Sequence, residues 1–442
     1  MLSIKYSALL KVAIPLMAGS FIQSLVMITD ASILSRYSTL SFDASGNAGL
    51  LYVTLFMGLA GFGDAAQIIM ARRAGANEKS KINGLVQSSL FINILLSCVF
   101  FTVITFVVPQ ALQSYSLNKE LANEQLAFLN IRSVGFFIAA IMLTLNAFFM
   151  AIGKTWVILF STLIFALTNI VLDFIFVFGT ASIPAMGIEG AALASVLAEL
   201  AAVIFLFVLL WKSPQRTEFK LFQEFNVVIS QIKQLVKVGA PLMIQGFFAL
   251  ATWTMFFTWI EQIGTYELTV SQNIRSIYML AFVPIFGFGA TTKTYVSQYM
   301  NQKNPQLIRK IIRRIQLLTV LFIALFFHGA ILYPEQLITL INPEQAYVAD
   351  SVRILQLVIG SIFIFGLITP IFQTINGSGN TRITLVIEIL SIITYLFTAY
   401  TFIKIWELPI AQIWLVEYVY FGTIGLFSIL YLRFFNWSKK DI

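Results

Sequence analysis

The sequence predicts an all-α integral membrane protein of twelve transmembrane helices, arranged as two six-helix repeats (6+6) around a central cavity. Three observations carry that prediction. Apolar stretches of the roughly 20 residues needed to cross a bilayer recur twelve times along the 442 residues. The second half repeats the first at a constant offset of 226 positions, the step from Pro15 to Pro241. Charged residues make up 11% of the chain, against roughly 25% in a soluble domain, and mean hydropathy is +0.87. Lipid is the solvent that suits such a surface, and the 42 Phe suit lipid-facing and interfacial positions.

In chain order the spans are 8–35, 47–71, 84–108, 126–151, 156–178 and 187–211, then 233–260, 273–299, 312–333, 351–376, 382–403 and 409–435. Turns rich in polar residues, Gly or Pro punctuate them at 43–47, 74–81, 110–124, 153–155 and 184–187. The longest linker, 212–231, separates an expected N-lobe (1–211, helices 1–6) from a C-lobe (232–442, helices 7–12). Lys5 and Lys11, an apolar run and the small residues 18–20 imitate a secretory signal peptide. The same segment recurs inside the chain, where no signal peptidase acts, so removal is not expected.

The repeat is specific. Leu9, Lys11, Val12, Pro15, Leu16, Met17 and Phe21 become Leu235, Lys237, Val238, Pro241, Leu242, Met243 and Phe247. Gly61-Phe62-Gly63 becomes Gly287-Phe288-Gly289, Gly153 becomes Gly379, and Trp211 becomes Trp437. Six spans per repeat is an even number, so both repeats start on the same side. Such halves are related by an axis along the membrane normal, a transporter arrangement with the ligand path between them.

Orientation follows from Lys and Arg. With the N-terminus inside, 22 of the 28 fall on inner segments, among them Arg72, Arg73, Arg313, Arg314, Lys439 and Lys440. Six fall on outer ones: Arg36, Lys119, Arg132, Arg275, Arg353 and Lys404. This obeys the positive-inside rule and places both termini in the cytosol, with the chain in a bacterial cytoplasmic (inner) membrane. The net charge of +8 is therefore a topology signal and not the clustered basic face of a nucleic-acid binder. One Cys, Cys98, and one His, His328, exclude an intramolecular disulfide and the usual zinc sites. A monomer acting on small molecules within the lipid bilayer, without a cofactor or nucleic-acid partner, is expected.

Span 1 carries Asp30 in its outer half, 15 residues or about 22 Å beyond Pro15 at ~1.5 Å per residue. An acid in hydrocarbon usually faces a protein interior or a water-filled path. A proline there removes one backbone hydrogen bond, which makes Pro15 and Pro241 candidate hinges. In span 5, Asn169 and Asp173 are four apart and share a face. Asp173 lies about as far along its span as Asp30 does. Gln23, Asn146, Ser195 and Glu199 can reach the same outer-half region from spans 1, 4 and 6. Two carboxyls in one apolar pocket titrate as a pair and share a proton, or hold a sodium ion with amide and hydroxyl oxygens. Taken singly, the amides and Ser195 serve equally as helix-to-helix hydrogen-bonding groups. Asp64, Glu388 and Glu417 are further intramembrane acids whose roles stay open, and His328 reads as structural.

Enzyme readings fail on the residues. Gly153-Lys154-Thr155 resembles the end of a phosphate loop, but the first glycine of that motif falls on Phe148 and no strand precedes it. No zincin pair and no Gly-x-Ser-x-Gly elbow occurs. Transport energy is expected from an ion gradient.

Taken together, several motifs in order resemble the multidrug and toxic compound extrusion (MATE) family. They are Ile14-Pro15-Leu16 with Asp30, residues 71–76 (Ala-Arg-Arg-Ala-Gly-Ala), and 151–155 (Ala-Ile-Gly-Lys-Thr). Asn169 with Asp173, the Gly187–Ser195 run, Gly239-Ala240-Pro241-Leu242 and 377–382 complete the set. The resemblance implies two six-helix lobes, a central cavity, and export of amphipathic, often cationic compounds against inflow of H+ or Na+. It also implies that Asp30 and Asp173 are the ion-coupling acids, with Gln23, Asn146 and Asn169 as surrounding polar positions. Ser195 stands where Thr is common. The branch named for NorM typically adds acids in spans 7 and 10, and none occurs here in 246–257 or 351–376. The resemblance is thus to the DinF-like branch. The expected function is secondary antiport by alternating access. The alternatives are a flippase for lipid-linked saccharides of the same superfamily, which calls for a cationic cavity, and a major-facilitator-type transporter, whose basic loop after span 2 is not found here.

Overall fold

The computed structural model describes residues 1–115, 118–225 and 227–439. Lys440, counted above among the inner cations, and the last residues of the expected C-lobe lie outside them. Among the described residues the chain is helical, with no strand. The long helices of the first repeat are α1 (Tyr6–Tyr37), α2 (Thr39–Gly75), α3 (Ser80–Thr102), α4 (Lys119–Ala151), α5 (Trp156–Phe178) and α6 (Gly187–Lys212). Those of the second are α7 (Ile229–Glu261), α8 (Thr265–Tyr299), α9 (Pro305–Phe326), α10 (Gln345–Gly377), α11 (Thr381–Tyr400) and α12 (Val416–Phe434).

Eleven helical segments among the described residues are long and apolar enough to cross a membrane. The remaining expected span, 312–333, falls on α9 and is interrupted. The N-terminal part of α9 carries Arg309, Lys310, Arg313 and Arg314. The helix stops at Phe327, and the chain continues as two short helices, Gly329–Leu332 and Pro334–Ile341. Asn304 starts α9 by accepting a hydrogen bond from the Leu307 N–H at 3.1 Å, with Pro305 in the first turn, where its missing N–H costs nothing.

The repeat is visible in the backbone. Gly153 and Gly379 both adopt positive φ, 74° and 80°, just past α4 and α10. Lys154 N–H bonds Phe149 C=O at 2.8 Å, and Asn380 N–H bonds Ile375 C=O at 3.1 Å. These six-residue closures satisfy helix-end carbonyls and need a residue that tolerates the left-handed region.

The chain forms two compact units, and their boundary does not fall in the 212–231 linker. Unit 1 comprises Met1–Met17 and Ile244–Ile442; unit 2 comprises Ala18–Met243. Each boundary lies two residues after a repeat-matched proline, inside α1 and inside α7. Each repeat therefore contributes its first half-helix to the unit built mainly from the other. In unit 2, a Cβ on Gly61 of α2 would stand 2.5 Å from the Met243 backbone nitrogen of α7. In unit 1, the matching Gly287 of α8 packs against Met17 of α1. The Gly-Phe-Gly motif, strong evidence of duplication in the sequence, is thus the seat for an exchanged half-helix, because only a missing side chain admits another helix this closely.

The 212–231 linker is strapped to unit 2. Asn83 and Gln87 of α3 donate to the Glu224 carbonyl at 3.1 and 2.7 Å, and Asn83 Oδ1 accepts from the Phe222 N–H at 2.9 Å. The matching stretch at the chain start is held in unit 1, where Tyr295 Oη donates to Ser3 C=O at 3.0 Å and Arg314 to Ile4 C=O at 2.6 Å.

Candidate ion-coupling site

The sequence-predicted acids meet in unit 2. One face of α5 exposes Leu167, Val171, Phe174 and Phe178, while Ala166, Asn169, Asp173 and Val177 are buried. This division fits a helix with lipid on one side and protein on the other. Asp173 is 1% exposed. Asn169, one turn earlier, donates from Nδ2 to Asp173 Oδ2 at 3.3 Å. Asp30 of α1 is half-buried, and its carboxyl lies within hydrogen-bonding reach of Asp173. The second oxygens, Asp30 Oδ1 and Asp173 Oδ1, are buried without a hydrogen-bond partner. Two carboxyls in contact have acceptors on both sides, so only a proton or a cation completes the contact.

Beside this pair stands a charge cluster that sequence reading divided. Arg132 of α4, assigned above to the outer surface, is half-buried in unit 2. Its side chain is 12% exposed, and its Nη2 pairs with Glu199 Oε1 of α6 at 2.8 Å. Its guanidinium carbon lies 4.1 Å from the centre of the Tyr52 ring. It also acts electrostatically on Asp30. Gly135, one turn along α4, leaves the space the cluster fills: a Cβ there would meet Arg132 Nη1, Glu199 Oε2 and Tyr52 Oη at 2.8, 3.0 and 3.1 Å. Glu199 is therefore spent on an ion pair and is not a free acid of the pocket. Arg132 was legible as an intramembrane cation, since it lies inside the 126–151 span; counting it by side alone hid that.

The other named positions divide. Asn146 is half-buried with Oδ1 lacking a partner, Ser195 is half-buried, and Gln23 is exposed. Among the described residues no side-chain hydrogen bond links these three to either acid. Pro15 and Pro241 are buried beside the unit boundaries. Asp64 is half-buried in α2. His328 joins the break after α9, with its ring at Tyr333 Oη (2.5 Å) and Leu325 C=O (2.6 Å). Glu388 and Glu417 are buried in unit 1. A cavity of about 410 Å³ in unit 2 is lined by residues 149–157 and 205–215, including Lys154 and Lys212, and none of the acids above borders it.

A duplicated, all-helical chain of membrane spans with a buried acid pair in one unit is built as a membrane transporter. The MatE family model matches residues 15–175 and again 241–401, two segments separated by the same 226 positions as the internal repeat. The chain belongs to the MATE transporter family. It is 26% identical over 456 residues to a probable multidrug resistance protein NorM of Thermotoga maritima, with 98% of this chain and 93% of that protein covered. A probable multidrug resistance protein NorM of Synechocystis is 25% identical, with 96% and 92% covered. Two solved structures share the fold. A multidrug resistance MATE family transporter of the MOP superfamily in an outward-facing conformation has a TM-score of 0.87 at 19% identity, over 99% of this chain and 97% of that one. A MATE protein in a straight conformation has a TM-score of 0.88 at 19% identity, over 97% and 95%. The protein is a multi-pass transporter for small molecules, not an enzyme.

Proposed function

We propose that this MATE transporter is an antiporter that exports amphipathic or cationic small molecules against entry of H+ or Na+, with Asp30 and Asp173 as its coupling acids. The carrying observation is the contact between these two carboxyls in a buried part of unit 2. Arg132, the cation that acts on Asp30, is committed to Glu199. The acid pair thus has room for one added positive charge, and either the coupling ion or a cationic substrate can supply it. Competition for the same carboxyls is what couples two ligands, because a ligand shifts a conformational equilibrium only through its differential affinity.

Helix α1 suits the transmission. Its first part belongs to unit 1 and its remainder to unit 2, with Pro15 two residues before the change. Ion binding at Asp30 alters the outer part of α1, the proline absorbs the bend, and the substrate is released outward in an alternating-access cycle. Gln23, Asn146, Asn169 and Ser195 line the pocket in this reading. Placing the coupling acids only in the N-lobe corresponds to the DinF-like branch. The protein works as a monomer in the cytoplasmic membrane, with both termini cytosolic.

The test is efflux of a fluorescent cation from proteoliposomes under an imposed pH or Na+ gradient. Asp30→Asn and Asp173→Asn each abolish gradient-driven export while the purified variants melt normally. Intact coupled export in Asp30→Asn overturns the mechanism.

A further inference from the structure

The cavity of about 410 Å³ in unit 2 has no part in the coupling mechanism. Its volume falls within the roughly 300–1,000 Å³ of small-molecule sites. It is framed by the turn after α4, the first turn of α5 and the end of α6. Those helix ends lie on the side that the Lys and Arg distribution assigns to the cytosol. The wall is apolar, with Val157, Phe205, Val208 and Leu209, while Lys154 and Lys212 line it as exposed residues. Val208 is itself exposed, as are Ile204 and Trp211, about one turn to either side on the same face of α6. In a membrane that face meets lipid tails.

The cations here differ from their neighbours on the same side. Arg73 and Lys81 pair with Glu78, and Lys79 pairs with Glu218. Lys154, Lys212 and Arg216 have no carboxylate partner among the described residues. The Arg216 guanidinium rests on the Trp211 ring, 3.4 Å from its centre, and its Nε is buried without a hydrogen-bond partner. Between 149 and 157 and between 205 and 218 the sequence has one acid, Glu218, and Lys79 already holds it.

The duplication supplies an internal control. The 226-residue offset places Asn380 at the position of Lys154 and Trp437 at that of Trp211. In unit 1 both are buried, and Asn380 donates to the Trp437 carbonyl at 3.1 Å and to Ser378 Oγ at 2.7 Å. Ile383 and Tyr431, the larger counterparts of Val157 and Phe205, pack on the cluster around Ile375. Unit 1 thus closes with a hydrogen bond at the positions where unit 2 has an exposed lysine and an exposed tryptophan. Free cations over an apolar wall repel a cationic solute. The wall gives nothing to a small hydrated anion. Both features serve one molecule that joins a negative head to an apolar tail.

We propose that this cavity is a binding site for an acidic phospholipid, whose phosphate meets Lys154 and Lys212 and whose chain runs along Val157, Phe205 and Val208. Basic pockets between spans on the cytoplasmic side suit such headgroups. The site goes beyond the antiport reading and does not rest on it. The test is native mass spectrometry of the full-length protein in detergent, with phosphatidylglycerol and phosphatidylcholine of matched chains. The expected result is one phosphatidylglycerol retained in preference to phosphatidylcholine. Lys154→Ala/Lys212→Ala weakens that binding about thirtyfold, the loss expected for two lysines at a lipid surface. Val157→Phe keeps every charge, fills the cavity and also loses the lipid. Arg309→Ala/Lys310→Ala, which removes two exposed cations of α9 in unit 1, leaves it bound. Equal retention of the two lipids, an equal loss in the α9 variant, or unchanged retention in Val157→Phe overturns the proposal. So does displacement of the lipid by millimolar inorganic phosphate, which would make this a site for a free anion. Efflux is not part of this readout, so failure of the antiport mechanism leaves the result interpretable.

Discussion

Replacing Gly61 with alanine tests the half-helix exchange directly. The added Cβ would stand 2.5 Å from the Met243 nitrogen and 2.7 Å from its Cα. Non-bonded heavy atoms settle at about 3.5–4.0 Å, so the overlap is about 1 Å and falls on backbone that cannot rotate away. Either α2 or the Ile229–Met243 part of α7 must move as a body. Overpacking of this kind costs about 1–3 kcal/mol. Gly63, two residues on, supplies the internal control: its nearest neighbour would be Leu143 Cβ at 3.5 Å, an ordinary contact. Gly287→Ala should fall between them, since its nearest obstacle is the Met17 side chain at 2.4 Å and backbone comes no nearer than 3.3 Å. Thermal unfolding of detergent-purified protein, followed by circular dichroism, gives the order. The expected sequence of melting temperatures is Gly61→Ala lowest, Gly287→Ala next, and Gly63→Ala close to wild type. If Gly61→Ala and Gly63→Ala melt together, the first half of α7 does not lie against α2 and the unit assignment is wrong.

Two further expectations concern charge. Arg132→Gln leaves Glu199 buried without its cation and should cost about 3–5 kcal/mol, whereas the double variant Arg132→Gln/Glu199→Gln should recover much of that loss; equal melting temperatures for the single variant and wild type would mean that the pair carries no burial penalty. Glu78, in the turn between α2 and α3, accepts hydrogen bonds from Lys81 at 2.9 Å and Arg73 at 2.7 Å, which hold its carboxyl below the usual carboxylate range. A lowered folded-state pKa means the contribution is present above the unfolded carboxylate value and is lost as pH falls through the folded one. The Glu78→Gln difference in melting temperature should therefore be small at neutral pH, as for an exposed pair worth about 0–1 kcal/mol, and should vanish in acid; a difference that persists there would point to packing and not charge.

Much of the candidate site was legible in the sequence. Asp30 and Asp173 stand out because acids are costly in apolar spans and because neither has an acidic partner in the repeat: their counterparts are Phe256 and Ala399. Asn169 follows from its four-residue spacing to Asp173. Arg132 was less legible, since a basic residue near a span end reads equally as an interfacial anchor. Whether it snorkels outward or turns inward depends on Glu199 and Tyr52, which lie on other helices. Gln23 shares its spacing with Asp30 and is exposed; spacing along one helix does not say how far other helices cover that face.

The sequence by itself determined the solvent, the helical class, the duplication and the location of the prolines and cap glycines. These depend on hydropathy, local backbone preference and repeat spacing, all of which act along the chain. Only the tertiary structure decided that α1 and α7 are each divided between units, that the Gly61 and Gly287 motifs receive those half-helices, and which neighbours Arg132 meets. Helix–helix partners depend on rotation about each axis and on the closeness that missing side chains permit. Those quantities are settled between segments distant in the chain, so no local pattern encodes them alone.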